Sequence, residues 1–151
     1  MNSLTSLHAL GQMLEANAHC FQAGESRASS IELKSAFQHH ARQRRQFAAA
    51  LQQLLSALAE GTDFQPAEST GVYSWTAADD EAALVEAWEE AEVAAIADYE
   101  RTLHQRGLSD EAILLIHDQY LQIRTAREQA QALRPSLARP EVAAELVLAP
   151  A

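Results

Sequence analysis

Charged or imidazole side chains interrupt three helix-spaced apolar stripes of this chain: His40 and Arg44 in one, Glu92 in the next and Arg127 in the last. Buried polar groups are costly unless they are paired. Between packed helices they are also where metal and cofactor sites are built. All four residues fall near mid-helix, so helices laid side by side could bring them into one layer. One carboxylate facing two guanidiniums would form a charge-assisted cluster, fixing helix register more than adding stability. The alternative is a mononuclear divalent-metal site, of zinc type, from His40 and Glu92 with Glu89 or His19, since three ligands and a water suffice. Adjacent side chains on a helix point about 100° apart, so neither His39 with His40 nor His19 with Cys20 can grip one ion side by side. Cys20, beside Phe21, reads as an inert buried thiol rather than a reactive one. There is no phosphate-binding glycine loop, no Ser-His-Asp order and no Cys-x-x-Cys pair, so nothing resembles a nucleophilic active site.

The elements that must position these residues are helices. Residues 3–23 repeat Leu4, Leu7, Leu10, Leu14, Ala18 and Phe21 at steps of three and four, with Gly24 placed to end the helix. Ser29 with Glu32 fits a capping box. It opens a second helix over 30–60, with the seam Leu33, Phe37, His40, Arg44, Phe47, Leu51, Leu54 and Leu58, stopped by Gly61. Residues 61–78 are the least periodic part, a connector long enough to run the length of the helices. Its Phe64, Val72, Tyr73 and Trp75 are expected to cover an open edge. A third helix over 79–105 presents Leu84, Val85, Trp88, Ala91, Glu92, Ala95, Ile96, Tyr99 and Leu103. After a turn at Gly107, with Ser109 as N-cap, a fourth over 109–134 presents Ile113, Ile116, Tyr120, Ile123, Arg127, Ala130 and Leu133. Pro135 is expected to limit it, leaving residues 135–151 as a loose or weakly docked tail. Short connections flanking one long one predict an all-α, ferritin-like four-helix bundle with a crossover between helices 2 and 3.

Composition narrows the function. The 151 residues suit one domain, and a formal charge of −10 argues against nucleic acid as a partner. Lys34, Arg42, Arg44 and Arg45 lie together, while Asp79, Asp80, Glu81, Glu86, Glu89, Glu90 and Glu92 open another segment. These read as complementary helix faces and a solvated acidic surface. No apolar run is long enough to span a bilayer and no signal peptide is recognisable, so the expectation is a cytoplasmic protein with no membrane partner.

Three segments carry a resemblance: FQHHARQRRQFAAAL at 37–51, AWEEAEVAAIADYERTL at 87–103 and HDQYLQIRTAREQAQALR at 117–134. With Arg44-x-x-Phe47, Glu89-x-x-Glu92, Tyr99 and Gln119-Tyr120, residues 5–134 resemble a bacterial ferritin-like family of small four-helix-bundle proteins, a domain of unknown function. The resemblance implies the fold. A ferritin-like di-metal centre needs a Glu from each of two helices and Glu-x-x-His from each of the others. This chain departs from that set: Glu15 and His19 are four apart, Ala50 stands where the family pattern has Glu, and Gln122 and Arg127 stand where it has Glu and His. A guanidinium cannot be deprotonated and would repel the ions.

The expected function is therefore non-enzymatic association, as a homodimer or with another protein, with no resident cofactor. The alternative is a metal-binding or redox protein of reduced ferritin-like type holding iron, zinc or manganese on His40, Glu89 and Glu92. A third reading is a small-molecule pocket between the connector aromatics and the helices.

Overall fold

The structure, a computed structural model, describes residues 2–58 and 72–148, and the backbone alone at 72–73 and 135–148. Phe64 and Gly61, and the side chains of Val72 and Tyr73, lie outside this description. The described residues form five helices and no strand: α1 (Ser3–Arg27), α2 (Ile31–Leu58), α3 (Val72–Thr76), α4 (Glu81–Leu103) and α5 (Asp110–Leu148). None of these helices is long and apolar enough to cross a membrane.

Capping groups fix where the helices begin. Asn2 Oδ1 accepts the Thr5 N–H at 2.8 Å, and Asp80 Oδ1 accepts the Ala83 N–H at 2.8 Å. The expected Ser29–Glu32 box is replaced by a cap that joins two elements. Ser30 Oγ accepts from Leu33 N, and Glu81 Oε1 accepts from both Ser29 N (2.8 Å) and Ser30 N (2.6 Å). A carboxylate in the first turn of α4 thus satisfies the free donors of the α1–α2 turn. Arg27 Nη2 donates to the Ala78 carbonyl at 2.8 Å and completes this junction. At the opposite end Gly107 adopts φ +88°, a left-handed conformation that costs glycine little, and Ser109 Oγ caps α5 at Ala112 N.

Two expected helix ends are corrected. Gly24 does not stop α1, which continues to Arg27 before Ala28 turns extended. The glycine is needed for space: a Cβ there would lie 2.6 Å from Trp75 Cε3 and 2.9 Å from Phe37 Cε2. Pro135 does not end α5, which carries both Pro135 and Pro140 on to Leu148. Each proline deletes one backbone donor, while the Leu-, Ala- and Glu-rich sequence around them keeps helix propensity high.

Chain direction follows from contacts. Phe21 meets Phe37, Tyr99 meets Gln119, Arg27 meets Ala78 and His40 meets Gln129. So α1–α2, α4–α5, α1–α4 and α2–α5 are all antiparallel neighbours, whereas α2 and α4 run parallel on a diagonal. Two apolar clusters fill the middle. One joins Phe21, Phe37, Trp75 and Trp88 near the α1–α2 turn; the other joins Leu7, Leu10, Leu14, Leu51, Tyr99 and Ile116 toward the far end. Trp75, from the short α3, sits edge-on to both Phe21 and Phe37, with each pair of centroids 5.1 Å apart. Such pairs add about 0.5–1.5 kcal/mol beyond burial.

Gly24→Ala should therefore destabilise the protein, although alanine is the better helix former. Overpacking costs about 1–3 kcal/mol, which for a chain of this size lowers Tm by about 2–4 °C per kcal/mol. A thermal melt equal to wild type or higher would show that Trp75 is not seated against Gly24.

Candidate functional site

Between the two apolar clusters lies a polar layer. Arg44 on α2 and Glu92 on α4 reach across the diagonal, and both side chains are fully buried. The contact is bidentate, with Nη1 donating to Oε1 at 2.7 Å and Nη2 to Oε2 at 2.5 Å. A planar fork meeting a carboxylate this way is the strongest ordinary ion-pair geometry. Asn17 on α1 accepts from Arg44 Nη1 at 2.8 Å, and Trp88 Nε1 donates to Glu92 Oε2 at 3.3 Å. The guanidinium carbon sits 5.1 Å from the Phe21 ring centroid. Arg44 Nε has no hydrogen-bond partner.

One turn before Arg44, the buried His40 ring contacts Trp88 at 5.2 Å between centroids, and its Nε2 meets Gln129 Oε1 at 3.1 Å. An amide oxygen only accepts, so Nε2 carries the proton and the buried Nδ1 is left as an acceptor within the core. Burial first, then the Arg44 charge and His39, lower the His40 pKa to about 4, against smaller opposing effects of hydrogen bonds with Gln129 and Gln43. Toward the other end, Tyr99 OH donates to Gln119 Oε1 at 2.7 Å, and Gln119 Nε2 donates to the Phe47 carbonyl at 3.2 Å. Burial raises the Tyr99 pKa far above its ordinary value, so the hydroxyl stays a donor.

Arg44, Glu92 and His40 thus lie inside as expected, and Arg127 does not. It is half-buried in a groove between α4 and α5 with Ile96, Glu100 and Tyr120. The inward stripe of α5 is Ala112, Ile116, Gln119, Ile123, Ala126 and Ala130. Position 127 is one residue, about 100°, out of phase with it. Asn17, Trp88, Tyr99 and Gln119 complete the polar interior instead. Asn17 was signalled by Leu10, Leu14 and Phe21, whose steps of four, three and four pass through it.

The proposed metal ligands are not brought together. Glu92 is taken by Arg44, His40 by Gln129, and Glu89 turns outward to Arg134 Nη1 at 2.5 Å, which holds its carboxyl below the ordinary range. Among the described residues no three His, Cys, Asp or Glu side chains are placed to hold one ion. Cys20 is buried, and desolvation pushes its thiol up to about 11, so it is not a thiolate at neutral pH. Compared with protein-family models, curated proteins and solved structures, the chain finds no match.

Two outcomes test the layer. Glu92→Gln leaves a buried guanidinium facing a neutral amide and should cost about 3–5 kcal/mol, read as a lower urea midpoint; an unchanged midpoint would sink the pairing. His40 tests it through pH. Its folded pKa is depressed, so below about 6.5 the unfolded chain takes up the proton first. The stability that neutral His40 contributes is complete above that pH and is lost as the pH falls toward 4, about 3 kcal/mol at 1.36 kcal/mol per unit. The difference between wild type and His40→Gln in urea melts should follow this window, and a pH-independent difference would contradict it.

Proposed function

We propose that this chain is a ferritin-like four-helix bundle of up-down, crossover, up-down order, in which an ion pair replaces a di-metal centre, and that it acts by association rather than catalysis. The helix directions support the topology: two antiparallel hairpins with a parallel diagonal pair need a long crossover between α2 and α4. The bidentate Arg44–Glu92 contact carries the functional reading. It puts a permanent cation at mid-bundle, and its fork saturates both oxygens of the one fully buried carboxylate among the described residues. A divalent ion arriving there would have to displace the guanidinium and then share the core with it.

The outer face of α5 supports association, since Leu114 there is 73% and Leu121 45% exposed, one heptad apart. An isologous contact along this stripe would give a two-fold dimer, the commonest symmetric state. No cofactor is needed for this role.

Elemental analysis of untagged protein grown with iron, manganese and zinc, together with light scattering, tests the reading. Well under one metal per chain is expected, with a dimer that Leu114→Glu plus Leu121→Glu converts to a folded monomer. One or more metals per chain, lost in Glu92→Gln or His40→Gln, would replace this reading with a metal-binding one. A wild-type monomer at every concentration would remove self-association.

A further inference from the structure

A slot of about 420 Å³ opens along the seam between α1 and α4. It extends from Ala9 to Cys20 on α1 and from Ala87 to Asp98 on α4, about 17 Å at 1.5 Å per residue. Its walls are apolar, with Met13 and Ala16 facing Ala91 and Ala94, and Trp75 of α3 lines it too. Small side chains on both helices leave the space unfilled.

We infer that this slot binds an elongated small molecule with an apolar body and a cationic head. Size favours a small molecule, since a slot of about 420 Å³ lies within the range of small-molecule sites. Charge selects the head group. The carboxylates lining the slot are Glu90 and Asp98. Asp98 is engaged by Arg101, whereas Glu90 is exposed and makes no ion pair among the described residues. Among the described residues neither Lys nor Arg lines the slot, and the chain carries −10 overall. An amine would be drawn to this mouth and a fatty carboxylate repelled. The site lies on a different face from the α5 stripe, so it stands or falls apart from the association reading.

Decylamine, 1-decanol and decanoate, each kept below micelle-forming concentration, would be titrated into the full chain by calorimetry and tryptophan fluorescence. One decylamine per chain is expected, with a change in emission through Trp75 and decanoate at least about tenfold weaker. Ala91→Leu fills the slot from its wall and Ala94→Leu from its exposed rim; each should weaken decylamine by about tenfold or more while the thermal melt stays cooperative. Glu90→Gln should bring decylamine toward decanol. Equal binding by wild type and Ala94→Leu, decanoate matching decylamine, or no decylamine bound would each overturn the assignment. So would a dimer that dissociates in Ala94→Leu, since a second copy would then occupy the seam.

Discussion

The interior is organised around one contact, the Arg44–Glu92 pair closed across the diagonal with both side chains fully buried. Taking either charge out of water costs several kcal/mol, and mutual attraction repays this only if the geometry is good and the remaining donors and acceptors are met. Those demands propagate outward. The fork must be coplanar with the carboxylate, which fixes the axial register of α2 against α4 although the two helices are not direct neighbours. Asn17 brings α1 into the same register, and Trp88 adds a donor from the turn below Glu92. An apolar layer of similar volume could match this stability, but it would tolerate a slip of the helices that a bidentate pair forbids.

The ends of the helices reinforce that register. Glu81 reaches the free N–H groups of the α1–α2 turn, and Arg27 reaches the carbonyl of Ala78, so the start of α4 is tied to the end of α1 by directional contacts in both senses. Trp75 then enters the notch at Gly24 and joins Phe21, Phe37 and Trp88. This aromatic cluster shields one side of the ion pair from water, as Leu10, Leu14, Leu51 and Tyr99 shield the other. The pair therefore sits at low dielectric on both sides. There an unmatched group would be most costly, and His40 stays neutral next to the Arg44 charge.

Much of this was legible from periodicity. The large residues of α2 give an unambiguous seam, and they place His40 and Arg44 correctly as inward positions. On α5 the signal failed because alanine carries little hydrophobic weight. Ala112, Ala126 and Ala130 line the buried stripe, while Ile113 and Leu114 stand exposed. A reading that follows the large side chains therefore slips by one residue and takes Arg127 for an inward group. Asn17 was passed over for a different reason: the apolar Ala18 next to it fits the same repeat, and both are buried. Gly24 was misread because a helix-stopping glycine and a glycine that admits a distant tryptophan look alike in sequence. Only tertiary contact separates them.

The same poverty of side-chain volume shapes the outside. Where α1 and α4 both present alanine, the ridges that normally interlock are missing, and the seam stays open down to Asn17. Asn17 thus belongs to two structures at once, lining the open seam and holding Arg44 Nη1 within the core. The wall of the outer groove and the pair that sets helix register therefore meet in this one amide.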